Sequence, residues 1–249
     1  TAMPQSATAE GTQAQNLTAA AVMTLNGTES GVSKLKDGAY TSKISCKAGD
    51  TLNISADTEI WSIYLIFDRA PEKYTVESGG QTQACGLSGF LHEVMRPTTP
   101  SKEITITLSE SILCDVSVYA EGTLPDSVQD WNAPYDDCDM LLLPTHADDE
   151  HIFFGGIMPY YAGEKGMKGQ VAYLTNHWGE PYRPHELLNG LWEVGIRAYP
   201  IISEFPDYYS KALDHAKTLY DTNDMLAYEV ELLRRFKPEV VVDHDINGE

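Results

Sequence analysis

Residues 144–156 read PTHADDEHIFFGG, and three consecutive acidic side chains, Asp148, Asp149 and Glu150, stand between His146 and His151. Carboxylates this close repel one another, so a core or a plain turn gains little from them. A bound cation removes the repulsion, and imidazoles alongside favour a transition metal over calcium. In the spacing H-x-x-D, His146 and Asp149 can turn toward one point if a helix starts at Asp148 or Asp149. Asp148 then points to the same cavity without binding the metal. Such a set suits hydrolysis, because zinc lowers the pKa of water to about 7 and a neighbouring carboxylate can take its proton. The plainer reading is an acidic helix start that complements the macrodipole.

The flanking elements must bring these residues together. The cluster follows DMLLLP, a continuous apolar run of the kind found in parallel strands buried on both faces. DDEHIFFGGIMPYYAGEKG reads as a helix closed by Gly163 or Gly166, QVAYLTN as a second strand, and RPHELLNGLWEVGI as a helix with apolar Leu187, Leu188, Leu191 and Val194. AYPIIS is a short third strand. Residues 209–237 form a helical stretch broken near Asp221 to Asp224, and PEVVVDH is a fourth strand. Alternating strands and helices predict an α/β fold with a mostly parallel sheet, whose ligands bind at the carboxyl ends of the strands. That edge collects His146, Asp148, Asp149, Glu150, Asn176, His177, Glu180, His244, Asp245 and Glu249.

Before residue 125 the chain has a different character. Short runs such as EIWSIYLIFD, KEITITLSE and ILCDVSVYAEG are rich in Val, Ile, Thr and Tyr, and turn residues separate them. EITITLS alternates with period two. The expectation is a flexible leader at 1–20, an all-β sandwich at 21–124, a linker at 125–137 and the α/β domain at 138–249. Trp61, Tyr64 and Tyr74 could form a sugar platform, but WSIYLIF reads more readily as core. LKDGAY and GFLHEV resemble galactose-binding-like jelly rolls attached to many carbohydrate enzymes.

Composition narrows the function. The net charge of −20 disfavours nucleic acid, which needs clustered Lys and Arg. No apolar run is long enough for a membrane span. The opening TAMPQSATAEGTQAQNLTAA points to export, and hence to an extracellular or cell-surface protein, bacterial in type. The four cysteines form no CxxC pair. One or two disulfides are compatible with them, and Cys114 reads as a buried thiol.

LLLPTHADDEHIFFGG resembles the A-H-P-D-D-E signature of the PIG-L/LmbE-like N-acetylglucosamine deacetylases, with Ala147 at the usual Pro position. YLTNHWGE with YRPHELLNGLWEVGI resembles the second block of that family, whose R-x-x-E pair falls at Arg183 and Glu186. VVVDHDINGE resembles the start of the third. The resemblance covers about residues 138–249. It implies a Rossmann-like fold, a zinc ion, and removal of acetyl groups from amino sugars or glycans. By the same resemblance His146 and Asp149 are metal ligands, Asp148 is the general base, and Arg183, Asn176 and Trp178 contact substrate. Two plainer readings stand beside these: an i, i+3 ion pair for Arg183 and Glu186, and loop packing for His177 and Trp178. In the family a Gly-His-x-x-His segment follows and supplies the third ligand. The resemblance therefore implies a truncated deacetylase domain with two of three ligands, inactive by itself, with His244 as a less favoured substitute. The alternative function is a carbohydrate-binding protein whose α/β part is inactive.

Overall fold

The computed structural model describes residues 11–245, so part of the expected leader, and Glu249, lie outside it. The chain divides between Asp130 and Trp131 into two compact units.

In the first unit the strands are β1 (Val22–Leu25), β2 (Ile44–Cys46), β3 (Thr51–Ile60), β4 (Ser62–Phe67), β5 (Tyr74–Ser78), β6 (Gln81–Cys85), β7 (His92–Met95), β8 (Ser101–Thr107) and β9 (Ser111–Tyr119). They form two antiparallel sheets, in the orders β1-β3-β8-β5-β6 and β2-β9-β4-β7. The sheets share one core. Leu52, Ile54, Val76, Ile104 and Ile106 from the first meet Ile63, Leu65, Phe67, Leu113 and Val116 from the second. This is a β-sandwich, and each fully buried Leu or Ile adds about 1.5–3 kcal/mol. Strand β8 shows the reason for its alternation: Ile104 and Ile106 face the core, while Glu103, Thr105 and Thr107 on the opposite face are exposed or half-buried.

Strand β4 is buried along its whole length. Successive side chains point to opposite faces, so Ile63, Leu65 and Phe67 fill the sandwich core. Tyr64 and Ile66 fill a second cluster with Ala14, Cys114, Tyr119 and Val128. Tyr64 and Tyr74 are therefore core residues, and of the proposed sugar platform only Trp61 is exposed. Residues 11–20 also depart from the flexible leader expected of 1–20. Gln13 bridges Thr123, Asn16 bridges Tyr119, and Ala14 and Leu17 are buried. All four cysteines are buried free thiols.

The second unit holds β10 (Met140–Leu143), β11 (Gly169–Tyr173), β12 (Ile201–Ile202) and β13 (Val240–Asp243), all parallel, in the order β12-β11-β10-β13. Its helices are α1 (Asp149–Ile152), α2 (Arg183–Glu193), α3 (Leu213–Leu219) and α4 (Thr222–Phe236). Strands β10 and β11 are buried throughout, as their apolar runs require. Leu232 and Phe236 of α4 pack on Leu141, Leu143 and Ala172. The helical stretch breaks at Asp221, whose Oδ1 accepts the backbone N–H groups of Asn223 and Asp224 and so caps α4.

The Rossmann-like α/β class is corrected. Among the described residues nine of the thirteen strands lie in the two antiparallel sheets, which makes this mainly an antiparallel β-structure. The parallel sheet is small, with a third strand of two residues. The helix expected across 148–166 is one turn, α1, followed by turns and a short π-helical stretch at Pro159–Glu164. The turn that follows α1 fits only glycine at position 155, where a Cβ would stand 2.4 Å from the His151 carbonyl oxygen.

Candidate functional site

Parallel pairing places the carboxyl ends of β10, β11, β12 and β13 at one edge of the sheet, and polar side chains gather where the chain leaves each strand. After β10 come His146, Asp148 and Asp149. Helix α1 has only four residues and hence a small dipole, so a plain acidic helix start explains little of the cluster.

Asp149 is the buried centre of the group, 2% exposed. Its Oδ2 accepts the His146 backbone N–H at 2.8 Å. His146 Nδ1 lies 3.4 Å from the same oxygen. His244, beyond β13, brings Nε2 to 3.1 Å from it. The His244 ring is wedged edge-on against Phe153 and Phe154, with centroids 5.2 and 4.8 Å away. The residue set aside from the sequence thus arrives at the central carboxylate.

Asp148 has a strained backbone, φ 145° and ψ −20°. Four hydrogen bonds hold it there. Its N–H donates to Glu150 Oε2 at 3.0 Å, Arg183 Nη2 donates to its Oδ2 at 2.9 Å, and its carbonyl accepts from His151 and Ile152. Glu150 is buried, and desolvation pushes its carboxyl above the usual carboxylate value. Tyr173 is fully buried; burial first, then the Glu150 charge, push its phenol far up, so it keeps its proton. Arg183 also approaches Glu186 at 3.8 Å, the i, i+3 pair expected from sequence, but its shorter contact is with Asp148.

After β11, His177 is half-buried, and burial lowers its pKa below 6.5. The neutral ring accepts the Ala147 N–H on Nε2 at 3.0 Å. Asn176, assigned to substrate, has both ends of its amide on the backbone: Nδ2 donates to Ser203 O and Oδ1 accepts from Trp178 N–H. It ties two loops together. Trp178 lines a small recess with Ala147, His177, Pro184, Leu187 and Ile202. Of the other histidines, His185 is fully buried and His215 pairs with Ser210 near α3.

The sequence reading missed Asp207. Its Oδ1 lies 3.4 Å from His146 Nε2 and its Oδ2 3.6 Å from His177 Nδ1. A signal was there: SEFPDYY follows the third strand, and the carboxyl-end rule applied to that strand points to Asp207.

No family model and no curated protein matches the chain. Among solved structures, CpGH89CBM32-6 produced by Clostridium perfringens has a TM-score of 0.33 and 10% identity, over 41% of this chain and 94% of that one. A pectin-binding carbohydrate-binding module has a TM-score of 0.32 and 15% identity, over 45% and 96%. A family two carbohydrate esterase from Cellvibrio japonicus has a TM-score of 0.24 and 8% identity, over 90% and 88%.

Proposed function

We propose that the second unit is a zinc-dependent amide hydrolase that removes N-acetyl groups from amino sugars or glycans. One observation carries this reading: His146 Nδ1 and His244 Nε2 stand 3.4 and 3.1 Å from a single carboxylate oxygen, Asp149 Oδ2. With metal–ligand bonds of roughly 2.0–2.1 Å, two ligands of a tetrahedral zinc are about 3.3 Å apart. Two imidazoles and a carboxylate suit zinc chemically, but among the described residues the three do not close within 4.8 Å of one another, so His146 and His244 would have to draw together to hold it. A zinc ion there would activate water and polarise the amide carbonyl.

The chain's own residues supply the rest. Asp148 takes a proton from the attacking water, with Arg183 holding its Oδ2, and returns the proton to the departing amine. Water adds across the C–N bond, giving acetate and a free amino group. His177 orients the Ala147 backbone, and with it the turn that carries Asp148.

A second reading is a carbohydrate-binding protein without catalysis. The pairing of the polar groups with one another favours it: Asp148 with Arg183, and Asp149 with His244. Metal content and turnover separate the two readings. Elemental analysis and acetate release from N-acetylated chito-oligosaccharides should show about one zinc per chain and turnover above a chelated control. A metal-free chain that binds the glycan and releases no acetate would establish the second reading instead.

A further inference from the structure

We propose that Asp207 is the positioning residue of this edge, fixing the orientation and tautomer of both His146 and His177. The metal consequence rests on the zinc reading above; the tautomer consequence does not.

Bond accounting assigns the protons. His177 Nε2 accepts the Ala147 N–H at 3.0 Å, so in the neutral ring the proton sits on Nδ1. That nitrogen faces Asp207 Oδ2 at 3.6 Å. For His146, Nδ1 faces Asp149 Oδ2, an oxygen that already accepts the His146 N–H and contacts His244 Nε2. On its other side His146 Nε2 lies 3.4 Å from Asp207 Oδ1, so a proton on that nitrogen would point at Asp207. It would leave the Nδ1 lone pair turned toward Asp149, as a metal ligand needs, with a carboxylate behind the ring to raise its basicity.

The position of Asp207 is itself built. The Tyr220 hydroxyl accepts the Tyr208 N–H at 2.8 Å and donates to Pro206 O at 2.8 Å, clamping the residues on either side of Asp207. Upstream, Asn176 N–H donates to Phe205 O at 2.8 Å.

The test uses the full chain, uniformly labelled with ¹⁵N-histidine, with Asp207→Ala, Asp207→Asn and Asp207→Glu beside it. Long-range ¹H–¹⁵N spectra of the metal-free chain should show His146 as the Nε2–H and His177 as the Nδ1–H tautomer. Asp207→Ala and Asp207→Asn should shift both toward mixtures, and Asp207→Glu should restore them. Chelator competition with zinc alone should show affinity 10–100-fold weaker in Asp207→Ala. Asp207 is about one-third exposed, so unchanged far-UV spectra serve as the folding check. Unchanged tautomers in Asp207→Ala, or unchanged affinity where the parent binds zinc, would overturn the proposal. If the parent binds no zinc, the metal reading falls, while the tautomer shifts still decide the role of Asp207.

Discussion

Arg183 and Asp148, 35 residues apart in sequence, meet at 2.9 Å, and Asp148 makes that contact from a backbone conformation that disfavours every residue but glycine. Both side chains are more than one-third exposed, so the pair itself contributes little to stability. The strain costs on the order of 1 kcal/mol or more. Asp148→Gly should therefore raise the urea midpoint, by about 1 kcal/mol of stability, while lowering acetate release by a factor of about 10² or more. A variant that is both less stable and fully active would show that neither the strain nor the proton transfer belongs to this residue.

His244 should matter for metal and hardly at all for folding. It is held by aromatic edges and one carboxylate at the end of β13. His244→Ala is expected to abolish stoichiometric zinc retention on dialysis, while His215→Ala, within α3, leaves it intact. Equal retention by the two variants would remove His244 from the ligand set.

Glu93 gives the sandwich a pH dependence. Burial pushes its carboxyl above the usual 4.5, against the lowering effect of bonds from Tyr74 Oη at 2.8 Å and Gly86 N–H at 3.1 Å. A folded value above the unfolded one means that the neutral acid is favoured on folding. The contribution is full below about pH 4.5 and is lost as pH rises through the folded value. Glu93→Gln keeps an acceptor for Gly86 and cannot ionise. Its stability relative to the parent, from urea midpoints at pH 4 and pH 7, should increase with pH; a constant difference would contradict this.

The thiols should be inert in the native chain. Burial pushes Cys46 and Cys138 up to about 11 and Cys114 up to about 12, and Cys85 also rises. Mass spectrometry after iodoacetamide at pH 8 should find no adducts on the folded protein and four after unfolding in urea. Reaction of the native protein within minutes would place at least one thiol at the surface.

Local pattern alone determined a good deal. Period two in EITITLS reports a strand with one wet face, and the apolar runs MLLL and QVAY report strands buried on both sides. Turn chemistry placed the helix break at Asp221, because a side-chain cap acts within three residues. The loops bearing His146 and His177 were legible for the same reason, since each directly follows an apolar strand. Tertiary structure decided what depends on distant partners. The helix after β10 shrank to one turn, and the chain then passes so close to the His151 carbonyl that only glycine fits at 155, a contact that no periodicity encodes. Residues 13–17 joined the sandwich through bonds to residues about 100 positions away, so their low hydropathy said nothing of their placement. Asn176, Asp207 and His244 took their roles the same way. Whether a polar side chain faces a cavity, ties two loops or meets a shared carboxylate is settled by which strands lie side by side, and that order was fixed only when the sheet closed with β13 against β10.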